Sequence, residues 1–331
     1  MMEDTQTQTQ TEVRALAEGR APTPAERLLL MPAVSDWLLA TYFMTVILGL
    51  MRAPSGPERN FLLSLAAVVL MTFLGGCYVY RMRFELRQGG PTYAHRLAYH
   101  LLPLCTLLAL YFHLRPILPL VNDAAYDEQL YQLDVRVFGF EPTVMLERWS
   151  THGVVEWFSF FYYSYFFFVA MFLFIHIFTN EDDRQLSHFA TGLVLVVAIG
   201  HFVYMLVPGF GPYAHLAHEY DAPLPGGRFY DLVLRAVHAG GPMRDIFPSL
   251  HTALPVYLTM FAWRHHRVHA PLATFFAANI LCATLVLRWH YALDVVAGLM
   301  LAGFAFWASP RLVEAYQARR QVAGLGRLRR W

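Results

Sequence analysis

Between residues 34 and 308 the chain passes through eight runs in which Leu, Val, Phe and Ala crowd out charge. They lie at roughly 34–51, 60–80, 97–121, 153–178, 185–207, 249–263, 269–288 and 290–308. A helix needs about twenty mainly apolar residues to cross a bilayer, and most of these runs have that length. Only 15% of all residues are charged, against about 25% in soluble domains, and mean hydropathy is +0.38. The expected fold is therefore all-α: a polytopic integral membrane helical bundle of about eight transmembrane helices. Pro255 should kink the short sixth run. The last two runs nearly touch, which implies a tight hairpin between them.

The runs divide the chain. Residues 1–33 are polar, begin acidic and are rich in Thr and Gln, so they read as a disordered tail. They lack the basic start and short apolar core of a secretory signal. Residues 34–121 hold the first three runs, and 122–152 mix charge with Leu, Tyr, Val and Phe as a helix on the membrane surface would. The remaining runs fill 153–309, and 310–331 is a basic tail. All 25 basic residues are arginine, which removes lysine Schiff-base chemistry and lysine phosphate ligands. With both termini inside, 16 arginines fall on inner segments and 9 outside or at the outer boundary. That bias expects both termini in the cytoplasm and loop 208–248 on the outer face. A net charge of +1 argues against a nucleic-acid partner. The lone cysteines Cys77, Cys105 and Cys282 sit inside apolar runs and indicate neither disulfides nor a zinc ribbon.

Three polar phrases interrupt this apolar pattern. "RWHYALDVVAG" sets His290 and Asp294 four apart at a helix start, so both lie on one face. A carboxylate on one imidazole nitrogen makes the other a better nucleophile or base. The plainer reading is a helix-start Asp favoured by the dipole. "FPSLHTA" puts Ser249 and His251 at another helix start. Ser249 is an ordinary cap residue there, but a helix N-terminus also binds phosphate, and His251 is well placed to protonate a leaving oxygen. "VPGFGPY", ending at Tyr213, is on its own only a rigid turn. All three phrases are expected at the same outer end of the helices.

Taken in chain order, with "VPGFGPY" first, then "PLPGG" at 223–227, "FPSLHTA" second and "RWHYALDVVAG" third, the phrases resemble the type 2 phosphatidic acid phosphatase (PAP2) superfamily over roughly 153–308. The resemblance is nearest to the branch of inositol phosphorylceramide synthases and, more distantly, sphingomyelin synthases. It implies that His290 attacks phosphorus, Asp294 orients it and His251 protonates the leaving alcohol. It also implies a PAP2-like catalytic core that transfers a phospho-head group between membrane lipids without a cofactor. The donor would be a phospholipid, and the acceptor a ceramide- or diacylglycerol-like alcohol. Leu250 stands where the phosphatases usually have glycine, Thr284 where they carry an arginine, and Lys-x6-Arg-Pro is missing. These departures resemble the synthase branch. Ser249, Arg244, Arg288 and Tyr213 are the candidates for holding the phosphate. The expected location is a bacterial inner or plasma membrane, with the site on the extracytoplasmic face.

Other readings stand beside this one. A phosphatase passing phosphate to water uses the same residues, and a non-catalytic scaffold or transporter needs none of them. A hydrolase with Ser249 as nucleophile would need a histidine other than His251, because residues two apart on a helix do not face each other. His95, His100, His113, His176, His188 and His201 read as packing or interfacial residues, and His265, His266 and His269 fall on the inner side. His215, His218, Glu219 and Asp221 lack a zinc-site frame, so no metal is expected. The aromatic stretch 157–168, "WFSFFYYSYFFF", reads as a lipid-facing or packing surface, with contact to a substrate lipid as the sharper alternative.

Overall fold

A computed structural model describes residues 23–85, 93–179, 182–239 and 243–325. No strand occurs among them. The helices are α1 (Pro24–Leu29), α2 (Val34–Arg52), α3 (Pro57–Glu85), α4 (Tyr93–Val121), α5 (Asp127–Phe138), α6 (Pro142–Leu146), α7 (His152–Thr179), α8 (Asp183–Leu206), α9 (Pro212–His215), α10 (Arg228–Ala239), α11 (Leu250–His265), α12 (Ala270–Val286) and α13 (Ala292–Val322). Among the described residues, α2, α3, α7, α8 and α13 are long and apolar enough to cross a membrane. The protein is thus an all-α bundle with the character of a multi-pass membrane protein. Among the described residues, eight helices of sixteen or more residues overlap the eight apolar runs, five of them meeting the length and apolarity a membrane crossing needs. α12 is a shorter apolar helix of 17 residues.

Some boundaries differ from the sequence reading. The end of the polar N-terminal stretch is ordered: Thr23 and Glu26 form a reciprocal capping box that starts α1. The rest of the proposed tail, 1–22, lies outside the described residues. α13 runs on past 309 to Val322, with Pro310 inside it. α11 runs through Pro255 as one continuous helix.

The core is built by α7, α8, α11, α12 and α13, with α2 against α8 and with α3 and α4 packed on α2. One extended apolar cluster, including Phe43, Phe189, Tyr257, Phe261 and Ile280, runs through these helices. α11 and α13 approach closely at Gly298: a Cβ there would stand 2.5 Å from the Ser249 carbonyl oxygen. Only glycine permits that distance, and it brings the starts of the two helices together. α5 lies across this same end and packs on α9 and α13.

Candidate active site

His290 owes its position to how α12 ends. The amide of Trp289 donates to the Thr284 carbonyl (2.9 Å) and that of Arg288 to the Leu285 carbonyl (3.0 Å). This is the Schellman arrangement, whose penultimate residue must be left-handed and is usually glycine. Here it is Arg288, at φ 64°. The turn delivers His290 directly in front of α13, which begins at Ala292.

Asp294, in the first turn of α13, then acts through one oxygen. Its Oδ2 accepts the Tyr291 amide (2.9 Å), as a helix-capping carboxylate does, and lies 3.3 Å from His290 Nδ1. A carboxylate only accepts, so Nδ1 carries the proton and Nε2 is left bare for a new bond. Asp294 Oδ1 is buried with no hydrogen-bond partner among the described residues. Residue exposure is 3% at His290 and 0% at Asp294.

The second phrase meets the third here. The Ser249 amide donates to the Asp294 carbonyl (2.9 Å). Ser249 is the N-cap of α11, yet its side chain caps nothing; its Oγ accepts from Thr252 Oγ1 (3.2 Å). The ordinary capping role is therefore not the one it plays. His251, half-buried, has its ring 5.9 Å from that of His290. Tyr162 stacks on His251 at 4.6 Å, and Tyr165 lies at 4.4 Å. The aromatic stretch thus has two faces: Trp157, Phe166 and Phe167 are exposed, while Tyr162 and Tyr165 hold the imidazole.

The remaining candidates lie around this centre. The Tyr213 amide donates to the Arg288 carbonyl (2.6 Å), and its ring sits 4.6 Å from Trp289. The first phrase thereby docks on the turn that carries His290. Gly211 makes this approach possible, at φ 85° and with a Cβ position 2.5 Å from the Trp289 carbonyl oxygen. Arg288 turns away to pair with Glu147 (2.9 Å), bond the Ala222 carbonyl (3.1 Å) and lie 3.6 Å over the Tyr220 ring. Arg244 bonds the Ala124 carbonyl (3.2 Å) and lies 5.0 Å from the Phe210 ring. Thr284 directs its hydroxyl to the Leu281 carbonyl (2.7 Å), within its own helix. Leu250 is buried against Gly200 of α8, where it serves helix packing.

Several participants escaped the sequence reading. Arg115 of α4 pairs with Asp245 (3.6 Å), just ahead of the second phrase. Asp127 and Asp134 of α5 bind backbone amides of the first and third phrases. Their seven-residue spacing on one helix face was the available signal, but their partners are backbone groups far away in the chain. Among the described residues no group of three or more His, Cys, Asp and Glu is arranged to hold a metal ion. His215 and His218 instead lie near Glu128 (3.4 Å) and Glu219 (3.3 Å).

Two histidines and an aspartate thus converge at one end of a helical membrane bundle. Residues 128–308 match the profile of the PAP2 superfamily. The chain belongs to that superfamily. Its members are generally phosphatases and phosphotransferases acting on lipid phosphates, and membership suggests the same class of activity here. No curated protein and no solved structure matches the chain.

Proposed function

We propose that the protein is a membrane phosphotransferase that opens a lipid phosphodiester and passes its phospho-head group to a lipid alcohol, as an inositol phosphorylceramide synthase does. His290 Nε2 attacks phosphorus while the bond from phosphorus to the departing lipid alcohol breaks. His251 supplies that oxygen with its proton. The acceptor hydroxyl then attacks phosphorus, the P–N bond breaks and the hydroxyl proton passes to His251. Asp294 keeps the proton on Nδ1 throughout and balances the positive ring of the phosphohistidine. The two imidazole rings stand 5.9 Å apart, centre to centre, close enough for both to meet one phosphoester. The Ser249 hydroxyl and the uncapped first turn of α11 face the same anion.

The observation that carries the diester reading is charge balance. Arg288 is paired with Glu147 and Arg115 with Asp245. Arg244 rests on a ring and a carbonyl and has no carboxylate partner among the described residues, so it is the arginine we assign to the phosphate. One uncompensated cation matches a diester monoanion better than a monoester dianion. The burial of His290 favours an alcohol over water as acceptor. The arginine distribution supports cytoplasmic termini and an outer-face site. α5 has the form of a surface helix, with exposed Leu133 and Val137 on one flank and Glu128, Gln132 and Arg136 on the other.

Right-side-out and inside-out vesicles given labelled donors test this reading. A labelled inositol phospholipid should yield a new phospholipid in right-side-out vesicles only. Faster release of free phosphate from phosphatidic acid would make the protein a phosphatase instead. Turnover confined to inside-out vesicles would reverse the orientation, and no turnover of any phosphoester would leave a non-catalytic scaffold.

A further inference from the structure

We propose that α5 is a clamp that positions the site, with Asp127 and Asp134 on its buried face holding the first and third phrases in register. Asp127 accepts the Phe210 amide (2.9 Å to Oδ2) and the Gly211 amide (2.7 Å to Oδ1), and the Tyr291 hydroxyl donates to it at 3.3 Å. Asp134, two turns on, accepts the amides of Ala292 (2.6 Å) and Leu293 (2.9 Å). One helix thus grips the segment before Tyr213 and the residues directly after His290. Both carboxylates are almost fully enclosed, at 2% and 0% exposure. Burying a carboxylate costs several kcal/mol unless backbone donors or a cation answer it. Here the answering groups are the backbone of the site itself.

The two carboxylates do different work. Asp134 occupies the first free amides of α13, so that helix end is closed to a substrate anion. The uncapped start of α11, beside His251, is then the open one. Asp134, by holding the amides that follow the His290 turn, therefore sets where His290 stands. Asp127 instead shapes the Phe210–Gly211 backbone, next to the ring on which Arg244 lies. It acts on how substrate is held. Neither residue touches the reacting atoms, so both are positioning residues.

The kinetic half of this inference rests on the phosphotransfer reading, so the test has a second readout. Full-length protein in bilayers carrying Asp134→Asn or Asp127→Asn is followed by steady-state kinetics with the phosphodiester donor and by amide hydrogen exchange. Asp134→Asn should lower kcat about 10- to 100-fold, with KM within about twofold, as small misplacements of a reacting group do. Asp127→Asn should raise KM by more than it lowers kcat. Exchange should quicken at Ala292 and Leu293 in the first variant and at Phe210 and Gly211 in the second, with α8 unchanged. Unaltered exchange at these amides, or kcat and KM both within twofold of wild type, overturns the clamp. If Asp134→Asn loses protection everywhere, Asp134→Glu, which keeps the charge but displaces it, must show the same local changes. A wild type without turnover but with the expected exchange pattern overturns the reaction and leaves the clamp standing.

Discussion

Asp294 makes, through one carboxylate, both contacts that the sequence leads one to expect. Its Oδ2 caps α13 through the Tyr291 amide and also meets His290 Nδ1, so the cap and the contact with the imidazole share an atom. The pairing was legible because four-residue spacing on a helix leaves the partners little choice of direction. Arg288 was not legible in the same way. Its position in the turn is one glycine usually fills, and only the tertiary fold reveals that Glu147 and Tyr220 hold its side chain. Glu141, which caps α6 through the Thr143 amide (3.1 Å), offers a test at this scale. Burial pushes its carboxyl up to about 7, against the two bonds from Thr143 and with the help of nearby Asp134 and Asp294. A carboxyl raised in the folded state binds its proton more tightly there. Its contribution to stability is complete below about pH 4.5 and is lost as pH rises through about 7. Glu141→Gln should therefore flatten the fall in melting temperature between pH 5 and pH 8. An unchanged slope in the variant would show that Glu141 is ionised normally.

At the scale of elements, the site depends on two helix starts being pressed together. α11 and α13 meet where Gly298 faces the Ser249 carbonyl, and the Ser249 amide reaches the Asp294 carbonyl. Gly298→Ala places a methyl 2.5 Å from a backbone oxygen that cannot swing away. Overpacking of this kind costs about 1–3 kcal/mol. The variant should melt several degrees lower and lose most of its turnover, because His251 and His290 ride on the separated helices. A Gly298→Ala protein with wild-type melting and kinetics would mean the close approach is dispensable. Helix positions were legible from apolar run length, which is a local property. The extension of α13 beyond 309 was not, since its last turns carry arginines and amphipathic residues that resemble a tail. Loop 208–248 read only as Gly- and Pro-rich. The docking of Tyr213 on the α12–α13 turn depends on backbone groups, which sequence does not mark.

Over the whole molecule, three phrases more than eighty residues apart from first to last are gathered at one end of an apolar bundle. Order along the chain and membrane geometry together made that convergence foreseeable. What the sequence hid was the charge balance around it: acids from α5, from the 147 turn and from position 245 answer backbone amides and arginines that no short motif connects. The central claim is that His290 carries the phosphoryl group. It is tested most directly by quenching the protein during turnover of phosphorus-labelled donor, keeping it alkaline and mapping the label by mass spectrometry. The expected result is an acid-labile phospho-head-group adduct on His290 that is absent from His290→Ala, together with loss of turnover in that variant. Label on Ser249, or turnover that survives His290→Ala, would contradict it.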